Sequence, residues 1–334
     1  LEEGSSGSSA GPASATAAGC VAFGIGSETS GSILSPSARC GCTGLRPTFG
    51  RVSRHGVMAL AWTYDRLGPL CRHVEDCAVV MSVIGKPDNR DLSVADIPFN
   101  WNVRFDVKKL RVGYIQDAFE NPRDQKTLEI VQSLGVKPMP ITIPEAPSDV
   151  LGFGVESAAF FYDMVATGND KKMSNPGRAA SWRPANLIPA VDYIQSQRAR
   201  SIMMAKLAEA TADVDVYIVP VQNFGGGEGR GGRGAGAPAT DGTAAPAVPP
   251  PPDGAGAGGG RGGRGNFMRT PVQRHFSMAN AAGYPAVNLV NGFLDSGSPA
   301  AITFYARPFG EQELLAVAKA YQDAAGFHGK HPAL

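Results

Sequence analysis

Serine and glycine crowd the first 35 residues, where two segments have the composition of a reactive loop. Gly7-Ser-Ser-Ala-Gly11 comes first, and Ser27-Glu-Thr-Ser-Gly-Ser-Ile33 follows an apolar run at residues 20–26. Such a loop is either a flexible linker or a tight backbone whose N–H groups and hydroxyls converge on one point. Composition alone favours a linker at Ser5–Gly7. At Thr29–Ser32 it favours a functional loop, because the preceding run is typical of a core and buried polar groups need partners.

A serine nucleophile requires a base, and spacing does not identify one. No histidine follows Ser32 before His55, so no Ser-His-Asp triad can be predicted from the sequence. The five histidines contain no HExxH pair, and the five cysteines are too few and odd in number for a disulfide framework. Cys40 and Cys42 are separated by a single residue, which is not the spacing of zinc ligands. We therefore predict neither a metal site nor a cofactor.

Alternating strands and helices are expected to position these segments. Apolar periodicity predicts helices over 74–84, 124–134, 150–166, 190–212 and 311–325, and strands over 110–115, 136–143, 216–221, 286–290 and 300–305. This pattern predicts an α/β protein with a largely buried sheet. The chain has 334 residues, 43% of them apolar, which is enough for a core of its own.

The charge balance excludes some classes of protein. Lysine and arginine number 31 against 30 acidic residues, which argues against a surface built mainly for nucleic acid or anionic membrane. No stretch approaches the roughly 18 consecutive apolar residues of a membrane-spanning helix.

Residues 225–265 form a low-complexity segment. They hold 17 of the 42 glycines and no aromatic residue, so we predict a disordered insertion. Two Arg-Gly clusters, Gly229–Gly234 and Gly260–Gly265, are of a kind that binds RNA through charge and stacking. Four arginines offset by nearby acidic residues neutralise few phosphates, so a solvated loop is favoured and no nucleic-acid partner is expected.

The serine segments resemble the amidase signature family. The resemblance covers about 70 residues and returns weakly near the C-terminus. It is carried by Gly7–Gly19, Gly26–Ile33, Pro36–Arg54, Asp65, Leu67–Leu70 and Asn280–Val287. It implies a mixed β-sheet core flanked by helices and a Ser-Ser-Lys catalytic triad.

Several site residues follow from this resemblance. Ser32 corresponds to the nucleophile and Ser8 to the bridging serine, with a cis peptide between Gly7 and Ser8. The backbone N–H groups of Thr29, Ser30, Gly31 and Ser32 correspond to the oxyanion hole, and Ser9 to a neighbouring hydrogen-bond partner. Ser8 precedes Ser32 by 24 positions, as in the family, whereas Ser5 precedes it by 27. We therefore assign the bridging role to Ser8.

The sequence departs from the family pattern at three points. The family's catalytic lysine lies upstream of the Gly-Ser-Ser loop, but the first lysine here is Lys86. We expect the segment that carries that lysine to be absent from this chain, which is then catalytically incomplete by itself. Ser30 stands where a glycine is common, and Leu34 stands where many members have arginine.

The resemblance predicts hydrolysis of the C–N bond of linear amides, with a small-molecule amide as partner and a cytoplasmic location. The chain is expected to comprise an amidase core over residues 1–224, the insertion 225–265 and the rest of the same domain over 266–334. One alternative is a glutamine-hydrolysing subunit of a tRNA-dependent amidotransferase, although the central motif of those subunits is missing at Glu156–Gly168. The other is a non-catalytic or RNA-binding relative. The sequence does not fix the oligomeric state.

Overall fold

A single mixed sheet of eight strands organises the molecule. The computed structural model describes residues 4–145, 147, 152–221 and 270–330. The strands are β1 (Gly24–Glu28), β2 (Thr43–Arg46), β3 (Arg66–Cys71), β4 (Val112–Ile115), β5 (Met139–Ile141), β6 (Val216–Pro220), β7 (Ala286–Phe293) and β8 (Pro299–Ala306). Their order in the sheet is β1-β3-β2-β7-β8-β6-β4-β5. The pairs β6–β4 and β4–β5 are parallel and the others antiparallel. The predicted fold class is thereby confirmed.

Ten helices accompany the sheet in the described part of the chain. They are α1 (Ala10–Ala17), α2 (Leu34–Cys40), α3 (Val74–Ile84), α4 (Pro122–Ser133), α5 (Gly152–Phe160), α6 (Tyr162–Ala166), α7 (Trp182–Ala185), α8 (Ala190–Ala210), α9 (Pro271–Ala281) and α10 (Glu311–Ala325). None of these helices is both long and apolar enough to cross a membrane.

The central strand β6 shows how the sheet is covered. All five of its residues are buried, which is expected of a strand packed on both faces. Because side chains alternate along a strand, Val216 and Ile218 join the core cluster that includes α3 and α10, whereas Tyr217 and Val219 join the one that includes α8 and α9. Strand β6 precedes residues 222–269 and pairs with β8, which follows them, so one sheet includes strands from both sides of the predicted insertion. Residues 225–265 lie outside the described residues, and the three domain bounds stay a prediction.

The sequence-based elements match the structure unevenly. Helices α3 and α10 begin and end at the predicted residues, while the predicted strands at 110–115 and 136–143 shorten to β4 and β5. The single helix predicted over 150–166 is wrong, because the chain leaves helical dihedrals at Phe161 between α5 and α6. The ring of Phe161 stacks on Trp182 with centroids 4.4 Å apart, which gives this break a packing partner.

The prediction that the apolar run at residues 20–26 belongs to the core is also wrong. Val21, Phe23 and Ile25 are 41%, 48% and 41% exposed. Strand β1 lies at one end of the described sheet and alternates, so Gly26 and Glu28 face inward while Ile25 faces outward. The buried side of this strand leads directly into the loop that carries Ser32.

Candidate active site

Ser9 joins the two serine segments. Its backbone N–H donates to the carbonyl oxygen of Ser32 at 3.1 Å. Its hydroxyl donates to the carbonyl oxygen of Ser27 and accepts from the N–H of Ser27, both at 3.1 Å. Ser9 is buried, whereas Ser8 is exposed and Ser32 is half-buried. The structure therefore brings the segments predicted to contain the nucleophile and the relay together.

The peptide bond between Gly7 and Ser8 is cis, as the family resemblance implies. The structure records no hydrogen bond between the hydroxyls of Ser8 and Ser32, although both residues belong to the described part of the chain. The two segments are thus adjacent through backbone contacts, while the two hydroxyls are not directly bonded.

The loop Thr29–Ser32 carries unused backbone donors. Gly31 has a φ of +87°, a left-handed conformation that glycine adopts without steric cost. The N–H groups of Ser30, Gly31 and Ser32 have no hydrogen-bond acceptor among the described residues, whereas those of Ile33 and Leu34 are both bonded. A row of free N–H groups beside a serine is suited to stabilise an oxyanion.

A buried ion pair lies behind this loop. One carboxylate oxygen of Glu28 accepts from the N–H groups of Ile33 and Leu34 at 2.8 and 3.0 Å, and the other pairs with Arg46 at 3.0 Å. Burial by itself raises the pKa of Glu28, but the charges of Arg46 and Arg66 and the two N–H donors outweigh it, so the pKa lies below its usual value. Glu28 therefore stays ionised and ties the loop to the sheet.

Asn280 provides a second link at the back of the loop. Its side-chain N–H donates to the carbonyl oxygen of Thr29 at 2.9 Å, and its oxygen accepts from the guanidinium of Arg66. Burial, reinforced by the charge of Arg46, lowers the pKa of Arg66 to about 9. Thr29 is thus held by its carbonyl oxygen from a residue 251 positions later in the chain.

Asp65 connects the same loop to a neighbouring pocket. One of its oxygens accepts from the hydroxyl of Thr29 at 2.5 Å, and the other from the N–H groups of Leu60 and Ala61 at 2.7 and 2.9 Å. The pocket has a volume of about 690 Å³ and includes Ser8 and Thr29 in its lining. Its wall is dominated by apolar side chains, among them Val57, Met58, Trp62, Phe160, Phe161, Met164, Met173 and Trp182.

Comparison with known proteins decides the family. The sequence profile described as Amidase matches residues 1–224. The chain belongs to the amidase family. Members of this family are hydrolases that act on C–N bonds, and the resemblance read from the serine segments is confirmed.

Curated relatives of this amidase carry a more specific name. It is 28% identical over 363 residues to a subunit of the glutamyl-tRNA(Gln) amidotransferase of Geobacter metallireducens, with 96% of this chain and 68% of the relative covered. It is 29% identical over 346 residues to the protein of the same name from Brevibacillus brevis, covering 98% and 68%. The amidase chain thus spans about two thirds of the length of these relatives.

Solved structures show the same fold. An amidase family protein from Bacillus anthracis superposes with a TM-score of 0.71 at 20% identity, covering 99% of this chain and 62% of the other. The peptide amidase from Stenotrophomonas maltophilia gives a TM-score of 0.69 at 22% identity, covering 96% and 66%. At this identity the likeness concerns the fold of the amidase.

Sequence reasoning missed the residues that support the site. Glu28 lies inside the recognised segment and is its only charged residue, so its sign was available as a signal. Asn280 lies in the weak C-terminal match, and nothing local connects it to Thr29. Groups of three or more histidine, cysteine, aspartate or glutamate side chains able to hold a metal ion do not occur among the described residues of this amidase.

Proposed function

We propose that this protein hydrolyses the C–N bond of a linear carboxamide through an acyl-enzyme on Ser32. The observation that carries the proposal is the loop Thr29–Ser32, in which three free N–H groups adjoin a serine whose carbonyl oxygen is bonded to the Ser8–Ser9 segment. Preorganised donors of this kind lower the barrier to acyl transfer because they already face the charge that develops.

The proposed reaction has two halves. The Ser32 hydroxyl attacks the amide carbon and its proton passes through Ser8 to a base, while the carbonyl oxygen becomes an oxyanion beside the N–H groups of Thr29, Ser30, Gly31 and Ser32. The intermediate collapses, the C–N bond breaks and the amine leaves with a proton returned through Ser8. Water then attacks the Ser32 ester and releases the carboxylic acid.

The base itself is not proposed among the residues described here. A serine has no useful basicity at neutral pH, so Ser8 can act only as a relay. The family resemblance assigns the base to a lysine on the segment before the Gly-Ser-Ser loop. General-base assistance typically contributes ~10²–10⁴ in rate.

A fluorophosphonate probe tests the nucleophile in the protein expressed from its whole open reading frame. We expect covalent labelling of Ser32, and loss of that labelling in Ser32→Ala. Ser35→Ala is the matched control, since Ser35 lies three residues further on and its hydroxyl contacts that of Ser6 at 2.6 Å. Labelling that persists in Ser32→Ala identifies another nucleophile and contradicts the proposal.

A second pair of variants tests the assignment of the relay. Ser8→Ala should lower amide hydrolysis by ~10² or more, within the range for lost proton transfer. Ser5→Ala should retain most of the activity, because Ser5 has the wrong separation from Ser32. The reverse ranking would move the relay to Ser5.

The alternative function is hydrolysis of glutamine within a tRNA-dependent amidotransferase. The relatives that carry the name of glutamyl-tRNA(Gln) amidotransferase favour it, at 28–29% identity. The stretch Glu156–Gly168, which lacks the central motif of the glutamine-hydrolysing subunits, favours an amidase that works without that assembly. Glutamine hydrolysis that exceeds the hydrolysis of simple amides would favour the amidotransferase.

A further inference from the structure

The pocket beside Ser8 has a composition that selects a class of substrate. We propose that it binds the acyl group of carboxamides with a bulky, apolar, aryl-containing acyl chain. This inference rests on the proposed function. The volume of about 690 Å³ lies within the usual range of small-molecule sites, and Ser8 and Thr29 are part of the lining, so an acyl chain in the pocket starts at the proposed reaction centre.

Four aromatic rings form a continuous wall in this pocket. Trp62 meets Phe160 edge-on at 5.7 Å, and Phe160 meets Phe161 edge-on at 4.9 Å. Phe161 in turn stacks on Trp182 at 4.4 Å. Trp62 and Phe160 are still 48% and 37% exposed, so their apolar surface remains available to a ligand. A ring placed here would pack in the edge and stacked geometries that aromatic groups prefer.

The charged groups in the pocket are already satisfied by each other. Arg54 bonds Asp91 through Nε at 2.9 Å and through Nη2 at 3.3 Å, and its Nη1 donates to the carbonyl oxygen of Trp62. Asp91 also accepts from the N–H and hydroxyl of Ser93 at 3.1 and 2.6 Å. The α-amino and α-carboxylate groups of free glutamine would have to displace these bonds.

The remaining charged side chain in the lining lies at the exposed edge. Arg90 is exposed to solvent there, as is His55. Contacts between exposed charges contribute little because water screens them. The pocket therefore favours a neutral apolar acyl group over a zwitterionic one.

The aromatic wall is held in place before any ligand binds. Glu156 accepts from the N–H and hydroxyl of Thr63 at 2.9 and 2.6 Å, and Arg200 donates to the hydroxyl and carbonyl oxygen of Thr63 at 2.6 and 2.8 Å. The hydroxyl of Ser157 donates to the carbonyl oxygen of Leu60 at 2.9 Å. These bonds fasten the segment that bears Trp62 to the helix that bears Phe160. Preorganisation reduces the entropy lost on binding.

The test compares kcat/KM for acetamide, hexanamide, phenylacetamide, 4-phenylbutanamide and glutamine in the whole protein. Burial of one methylene corresponds to about a fourfold change in kcat/KM. We therefore expect 4-phenylbutanamide to exceed acetamide and glutamine by ~10² or more. Equal or greater kcat/KM for acetamide or glutamine overturns the inference while leaving the proposed chemistry intact.

Variants assign the effect to the wall. Trp62→Ala and Phe160→Ala should lower kcat/KM for 4-phenylbutanamide by about tenfold or more, mainly through KM, and leave acetamide within about twofold. Phe23→Ala is the matched control, because Phe23 is as exposed as Trp62 but lies outside the pocket lining. Equal effects on both substrates, or an equal effect of Phe23→Ala, contradict the assignment.

A binding measurement separates failure of this inference from failure of the proposed function. Calorimetry of Ser32→Ala should show that 4-phenylbutanoate binds at least about tenfold more tightly than acetate, and that adding Trp62→Ala removes the difference. If no amide is hydrolysed and Ser32 is not labelled, the proposed function fails, and the pocket is judged on this preference alone. Absence of the preference overturns the inference.

Discussion

The two sides of the Thr29–Ser32 loop are built from opposite kinds of side chain. Behind it, Glu28 and Arg46 are fully buried, and the Glu28 carboxylate is bonded to the chain on both of its oxygens. In front of it, the pocket exposes Trp62 and Phe160, which have apolar surface and no fixed ligand. The back determines the shape of the backbone that performs the chemistry, whereas the front determines which acyl group reaches it. Changes behind the loop should therefore affect every substrate, and changes in front should affect only some.

Breaking the ion pair behind the loop should have the largest effect. Arg46→Met leaves the buried Glu28 carboxylate without its counter-ion, and removal of one partner of a buried pair typically costs about 3–5 kcal/mol. We expect that decrease in the free energy of unfolding, measured with urea. Arg307→Met is the control, since Arg307 is half exposed and Asp215 retains Arg111, so a loss below about 1 kcal/mol is expected. A comparable loss in both variants would contradict the distinction.

Acid should weaken the same interaction. The pKa of Glu28 is lower in the folded protein than its usual value of 4.5, so its contribution to stability is present above that value and is lost as pH falls through the folded pKa. Glu28→Gln has no such group. We therefore expect Glu28→Gln to be less stable than the parent at pH 7 and the difference to narrow as pH falls below about 4.5. A difference that stays constant with pH would show that the Glu28 charge is not what stabilises the loop.

Asp65 is the residue that spans the two sides, so its loss tests whether they are coupled. Asp65→Ala leaves the hydroxyl of Thr29 and the N–H groups of Leu60 and Ala61 without their acceptor, and an unsatisfied buried donor costs about 1–3 kcal/mol. We expect that loss of stability together with a decrease in kcat of about tenfold, larger than the change in KM.

Asp88→Ala is the control for Asp65→Ala. Asp88 is exposed and lies outside the pocket lining, although it too accepts hydrogen bonds, from Ser53, Arg90 and Asp91. Asp88→Ala should leave kcat within about twofold. If Asp65→Ala changes only KM, Asp65 shapes the pocket and does not position the Thr29–Ser32 loop.

The sequence predicted the back of the site better than the front. The spacing of Gly, Ser and Thr in the recognised segments predicted that Ser8 and Ser9 lie beside Thr29–Ser32, and the Ser9–Ser32 contact brings them together. It did not predict strand β1 or helix α1, because short Gly-, Ser- and Ala-rich stretches show neither a helical nor a strand period. Periodicity succeeded at α3 and α10, where long apolar stripes face the core.

The front of the site depends on contacts between distant residues. Thr63 and Glu156 are 93 positions apart, and Thr63 and Arg200 are 137 apart. Phe161 belongs to an apolar stretch that predicts an uninterrupted helix, and the helix breaks there beside Trp182. A single sequence carries no local signal for such pairs, so the aromatic wall became visible only in three dimensions.

A change outside both regions should have the smallest effect. Residues 225–265 lie outside the described part of the chain, and their Gly-rich composition without aromatic residues predicts that they contribute no packed core. Replacing them by a linker of about eight Gly/Ser residues changes the closure entropy by only about 1–1.5 kcal/mol, because that entropy varies slowly with loop length. We therefore expect the thermal midpoint to change by less than about 5 °C and kcat/KM for amides to stay within about twofold.

The same replacement also tests the RNA-binding alternative, because it removes both Arg-Gly clusters. Four arginines neutralise few phosphates, so we expect no salt-dependent mobility shift of single-stranded RNA with the parent protein at low salt. A shift that disappears when Arg230, Arg233, Arg261 and Arg264 are changed to alanine would assign an RNA-binding role to the segment. A midpoint that falls by more than about 5 °C on replacement would instead show that these residues pack on the amidase core, and the division between the loop's charged back and its apolar front would then omit a third contributor to stability.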